Sequence, residues 1–241
     1  MEQPVQGRGF QLIVLLLAAF LFYLAHKLIK SGRAAEMGRP IHYTYGAGGG
    51  LASSQGPQIV ASSAILGYVA QLCARYDVRP IMNICIADAI PLTEEVLRVA
   101  YLREGKPEKF DPKIINYQPG QSPMVTAILG TFQRERPAAS FHIGGLYYES
   151  VVIGEAAKFV GAFLIAGTAN THQLPFIVAT SDYVLIGEEL YAAAAYIFRE
   201  PLQVASIAGE DWMKFILIAI TLIGLLLESV GIKYISDLLR W

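Results

Sequence analysis

The sequence predicts a three-layer α/β domain with a mainly parallel sheet, carried between two transmembrane helices. Three observations predict it. Apolar runs from Phe10 to Ala25 and from Phe215 to Leu227 bracket the chain. Between them, short apolar strand patterns alternate with helical patterns, the order that buries a parallel sheet between helices. A glycine-rich stretch, Gly46-Ala47-Gly48-Gly49-Gly50, falls between the first strand and the first helix of that middle.

The first anchor covers residues 9–27. It is about 18 residues long, or ~27 Å as a helix, close to the hydrocarbon thickness of a bilayer. A cleaved signal peptide is the competing reading, but no A-x-A site precedes the His26-Lys27 boundary. Only Arg8 stands before this helix, whereas Lys27, Lys30, Arg33 and Arg39 follow it. That bias places the following domain, 33–210, on the cytoplasmic side of the plasma membrane.

Within the domain, Ile41 to Tyr45 reads as a strand and Pro57 to Tyr76 as a long helix. A second strand covers 80–87. Pro91 and the acidic pair Glu94-Glu95 then open a helix to Arg103. After the polar loop 104–113 comes a brief strand at 114–117. Ser122-Pro123 is an N-cap followed by a first-turn proline, starting a helix to Arg134. The strand 139–144 and a helix from Ser150 to Val160 follow. Runs 162–168 and 175–180 both read as strands, and Asp182 to Arg199 as the last helix. The short link between those two strands is too brief for a parallel crossover, so the pair should be antiparallel or non-adjacent.

The second anchor covers 212–228. Glu228 reads more simply as the membrane exit than as an intramembrane functional carboxylate. Residues 229–241 form an amphipathic tail helix, with Ser229, Lys233, Ser236, Asp237 and Arg240 on one face and Trp241 at its end.

Composition limits function. The 241 residues leave room for one domain of ordinary size, and the mean hydropathy of +0.43 owes much to the anchors. A net charge of -1, with no basic stripe carrying interleaved aromatics, argues against nucleic acid as a partner. Cys73 and Cys85 match neither a metal knuckle nor a CxxC pair. Histidines 42, 142 and 172 are isolated, so no metal site is assigned. Ser53 and Ser54 lie in no G-x-S-x-G elbow.

The sharpest candidate site is the glycine-rich loop, which makes the middle Rossmann-like. Glycines let backbone N–H groups approach an anion at a helix N-terminus. Gly46, Gly48, Gly49 and Gly50 supply the loop, Ser53 and Ser54 side-chain donors, and Asp88 an acid after the second strand. A small anionic ligand, phosphate or nucleotide, fits that reading. A tight turn or packing loop is the competing one. GAGGGLASSQG has neither the P-loop spacing nor G-x-G-x-x-G, and Asp88 lies 42 residues after Gly46, not the usual ~20.

A second candidate comes from an internal echo. FHIGG leads to VVIGEAA at 151–157, and FIVAT leads to VLIGEEL at 184–190. If the two units are equivalent, Gly154 and Gly187 open matching helices, and Glu155 and Glu188 form a carboxylate pair for acid/base work or cation binding. The alternative is that each glutamate simply complements a helix dipole. Tyr147 and Tyr148 sit in a loop suited to a ligand or a subunit interface.

Several of these pieces recur in a known order. Ser31-Gly32-Arg33, Gly38-Arg39-Pro40-Ile41-His42, Gly46 to Gly50, Val184 to Ala193 and Asp211-Trp212-Met213-Lys214 together resemble an uncharacterised family of prokaryotic membrane-anchored proteins, the domain of unknown function DUF6754. Here the S-G-R and G-R-P-I-H pieces are separated. The resemblance covers nearly the whole chain and implies two anchors around an α/β domain. It carries no established activity, so no catalytic residue or cofactor is assigned. The expected role is a self-associating scaffold on the lipid bilayer, a homo-oligomer. The alternatives are an anion- or nucleotide-binding domain, enzymatic or not, and a transporter accessory subunit.

Overall fold

A computed structural model of the chain describes residues 38–198 and 201–229. The chain divides after Phe198 into two units. The first is an α/β domain built on six strands: β1 (Ile41–Gly46), β2 (Pro80–Ile84), β3 (Ile115–Tyr117), β4 (Ala139–Gly145), β5 (Phe163–Thr168) and β6 (Tyr183–Ile186). All pairs are parallel, in the order β3-β2-β1-β4-β5-β6. β1 and β4 occupy the centre and are buried along their whole length, as parallel strands covered on both faces are.

Helices cover both faces. On one lie α1 (Gly56–Tyr76), α2 (Ile90–Arg103) and α6 (Glu189–Phe198); on the other lie α3 (Gln121–Glu135), α4 (Glu149–Val160) and α5 (Leu174–Thr180). The period of two in β1 assigns its side chains to the two layers. Tyr43 and Tyr45 face α1 and α2: the Tyr43 hydroxyl donates to the Ser62 carbonyl at 2.8 Å, and Tyr45 meets the Thr93 hydroxyl at 3.1 Å. His42 and Thr44 face α3, against Phe132 (ring centroids 5.0 Å apart) and the Met124 sulfur at 3.6 Å.

Among the fully described residues, α1 is the one helix long and apolar enough to cross a membrane, and 78% of its apolar window is buried inside the domain. It is a core helix. Pro57 occupies its first turn, and Asp77 ends it with φ 55°, its N–H donating to the Cys73 carbonyl.

The structure corrects three expectations near the end of the domain. The run 175–180, read as a strand, is helix α5, with Pro175 in its first turn. The stretch 182–199, read as one helix, is strand β6 followed by α6, and Arg199 lies outside the described residues. A β-branched apolar run suits a buried helix as well as a strand, and length alone does not separate them. With α5 as crossover, β6 joins β5 in parallel, so the expected antiparallel or non-adjacent pair does not occur. The second strand also stops at Ile84, and Ala87–Ala89 form a 3-10 turn.

The second unit contains α7 (Pro201–Ser229). Its large apolar side chains are exposed on every side, from Trp212 (71%) to Leu226 (65%). The expected second span, 212–228, lies within this helix. The expected first span, 9–27, the tail beyond Ser229 and the side chain of Glu228 lie outside the described residues.

Candidate functional site

The strand order reverses between β1 and β4, and the crevice beyond the carboxyl ends of two such strands is where this architecture receives ligands. The glycine-rich loop lies there. So does the end of β4, Gly144-Gly145, and the two backbones touch. A Cβ on Gly46 would stand 2.6 Å from the Gly145 carbonyl oxygen, and one on Gly48 2.5 Å from the Gly145 Cα. These glycines are required by the meeting of two chains. Gly46 and Gly49 also have φ of 75° and 74°.

Several donors of the loop are used from within. The Ala47 N–H donates to Oε1 of Glu149 at 3.1 Å, and the Tyr147 N–H to the same oxygen at 3.0 Å. Oε2 of Glu149 accepts from the Gln121 amide. Glu149 opens α4 and is fully buried. Asp88 plays the matching part on the other side: its Oδ2 accepts the Leu51 N–H at 2.8 Å, and a Cβ on Gly50 would lie 2.5 Å from that oxygen. The Gly49 N–H donates to the Ala47 carbonyl at 2.9 Å. Ser53 donates its hydroxyl to the Gly50 carbonyl at 2.6 Å and accepts the Gln55 N–H at 3.1 Å. At the start of α1, the N–H groups of Gly56, Gln58 and Ile59 go to the carbonyls of Ser53 and Gln55, and Pro57 has none. Ser54 is exposed and makes no such bond among the described residues.

Behind the loop, buried Gln58 ties β1's side of the crevice to β5. Its Nε2 donates to Gln55 Oε1 and to Asn170 Oδ1, while its Oε1 accepts from Thr168 Oγ1 and the Ala169 N–H. Asn170 in turn donates to the Leu146 carbonyl at 3.1 Å. Cys85 donates its thiol to the Gly46 carbonyl at 3.5 Å, and burial and then the nearby Glu149 push that thiol up to about 11. It is not a nucleophile at neutral pH.

Of the residues expected to form the site, Gly49 meets Ser53 and Gly50 meets Asp88, while Gly46 and Gly48 pack against Gly145. Glu149, Gly145 and Gln58 were not anticipated. The Gly144-Gly145 pair closing a strand was the available signal, since it mirrors Gly46. Glu149 lies 102 residues from its partner Ala47, beyond any local pattern.

The carboxylate pair has a different fate. Val151 to Glu155 lie inside α4, whereas Val184 to Ile186 lie in β6, with Gly187 (φ 58°) and Glu188 in the turn after it. The echo is therefore not a structural repeat. Glu155 is an exposed helical residue 3.5 Å from Lys158, and Gly154 lets α4 approach α5 at Thr180. Glu188 belongs to the turn after β6, the edge strand, and not to a helix matching α4.

Two histidines lie under α3 and α4. His42 Nδ1 is 2.8 Å from the Ser140 hydroxyl, while His42 Nε2 and both nitrogens of His142 have no hydrogen-bond partner. Burial lowers both to about 3; in His42 the neighbouring His142 adds to this and the Asn83 amide opposes it. Both are neutral at physiological pH. No group of three or more His, Cys, Asp or Glu gathers as a metal site among the described residues. An apolar groove of about 690 Å³ runs between α3 and α4, and a polar one of about 350 Å³ beside β2 and β3. Neither includes the glycine-rich loop.

The model of a family described as a domain of unknown function (DUF6754) matches residues 29–239. No curated protein and no solved structure matches.

Proposed function

We propose, from the premise that the chain belongs to the DUF6754 family, that it is a self-associating scaffold anchored in the plasma membrane with its α/β domain in the cytoplasm. One observation carries the reading: α7 exposes large apolar side chains all round, including Trp212, Phe215, Leu217, Leu222 and Leu226. A helix of this kind needs lipid or other helices around it. Two of the loop donors that would meet a ligand, the Ala47 and Leu51 N–H groups, already serve Glu149 and Asp88.

Native mass spectrometry of the full chain in mild detergent tests this. A discrete oligomer without added mass is the expected result. A stable monomer counts against self-association, and a chain released from membranes by alkaline carbonate counts against anchoring.

A second reading, an anion or nucleotide bound at Gly46–Gly50, draws on the placement of that loop at the reversal of strand order, with Asp88 beside it. A ligand that takes the Ala47 or the Leu51 N–H displaces Glu149 or Asp88 from it. At a hundredfold excess over Kd it would stabilise the domain by about 2.7 kcal/mol, so a thermal shift with nucleotides or inorganic phosphate decides. Enlarging Gly48 cannot serve as the control, because the added atom meets Gly145 and disturbs the fold itself.

A further inference from the structure

In a parallel sheet every strand begins at one edge, and each following helix returns to it. β1 starts the described domain and α6 ends it, so the chain enters at Gly38–Ile41 and leaves at Phe198 from the same edge. Arg39 fixes the point of entrance, donating to the carbonyls of Arg136, Pro137 and Val160 at the ends of α3 and α4. The glycine-rich loop lies at the opposite edge. The 21 residues of α1 separate the two by ~32 Å.

Charge divides along the same axis. Residues 38–198 contain eleven Lys and Arg. Six stand in the segments that lead into strands: Arg39, Arg79, Lys106, Lys109, Lys113 and Arg136. Four more occupy last helical turns: Arg75, Arg103, Arg134 and Lys158. Only Arg98 lies elsewhere, paired with Glu95. Six carboxylates share that edge, leaving an excess of four cations. The loops at the far edge carry Asp88, Glu149, Glu188 and Glu189 and no Lys or Arg. Helix dipoles account for cations in last turns, but not for the six in connecting segments. The ion pairs at this edge, such as Lys109 with Asp77 and Arg79 with Glu135, are exposed and weak enough to exchange for other anions. Beside Lys158 stands Phe159, 86% exposed, the most exposed large apolar side chain of the domain.

We propose that this strand-start edge docks on a bilayer surface of anionic headgroups, with Phe159 entering the interfacial region and the glycine-rich loop facing away from the membrane. The proposal rests on the membrane-anchored reading above. Anionic lipid attracts clustered cations beside an anchor, and aromatic rings favour the headgroup level.

The test uses the full chain reconstituted in vesicles of phosphatidylcholine, alone or with phosphatidylglycerol. In a Cys85→Ser background, a donor dye is placed at Glu108→Cys on the docking edge or at Ser54→Cys on the far one, with an acceptor on the headgroups. Energy transfer should be strong from position 108 and weak from position 54. It should increase at 108 when phosphatidylglycerol is present. Lys109→Glu with Lys113→Glu, both exposed and outside the core, should cut the docked-to-undocked ratio about fivefold or more per charge. Salt of about 0.5 M, which shortens the Debye length to roughly 4 Å, should do the same. Equal transfer from the two sites, in a chain that resists carbonate extraction, overturns the docking while leaving the anchor intact. Transfer at 108 that ignores lipid charge also overturns it. A chain released by carbonate removes the anchored reading and the docking together.

Discussion

Glu149 is the residue on which the crevice depends. Replacing it with Ala leaves the partly buried Ala47 and Tyr147 N–H groups without their carboxylate acceptor, at about 1 kcal/mol or more each. Glu149→Ala should therefore lower the urea midpoint sharply, whereas Glu149→Gln, which keeps an acceptor oxygen, should lose about 1 kcal/mol. Equal losses in both would show that the carboxyl does not hold the loop. His42 and His142 set a second expectation. Each titrates near 6.5 when unfolded and near 3 when folded, so the unfolded state binds more protons in between. Stability should be complete above about pH 7 and fall toward pH 3, by up to ~1.4 kcal/mol per pH unit for each histidine. His142→Leu should flatten that decline in a pH series of denaturant melts. Neither role was legible in the sequence. The three histidines looked isolated because strand pairing, not spacing, brings His142 alongside Thr44 and near His42.

Elements were read well where local chemistry punctuates them. Pro57 and Pro91 each mark a helix start that the structure keeps to within one residue; Ser122-Pro123 marks the next helix, but its cap is Gly120 and not Ser122, which lies in the first turn. Punctuation failed from Leu174 to Ile186. Pro175 was available as a first-turn proline, but Phe-Ile-Val after it carries strand propensity. The packing of α5 on α4 overrides that propensity. The contact that does so is narrow: a Cβ on Gly154 would lie 2.5 Å from Thr180 Cβ. Gly154→Ala should consequently destabilise by about 1–3 kcal/mol despite the better helix propensity of Ala. Thr180→Gly should recover part of the loss, and the coupling in a double-mutant cycle measures the contact. Additive effects would mean that α4 and α5 do not touch there.

At the scale of the molecule, alternating strand and helix patterns made the α/β class legible. The order β3-β2-β1-β4-β5-β6 was not, since nothing local states that β4 returns to the far side of β1. All three buried clusters lie before Phe198. Residues 38–198 alone should then unfold in one cooperative step with a heat-capacity change of about 2 kcal/mol/K. Calorimetry showing two steps, or a need for detergent, would mean that the core extends into the second unit.

The fixing of Arg39 to the ends of two helices has a mechanical consequence. Tension applied at Gly38 along the axis of β1 meets a strand with ladders on both sides, so the whole register with β2 and β4 must slide at once. The guanidinium passes part of the load into α3 and α4 before that ladder feels it. Tension applied at Phe198 pulls on α6, which has no ladder. A stretched chain should yield from that end, shedding α6 and β6 while β1 still holds.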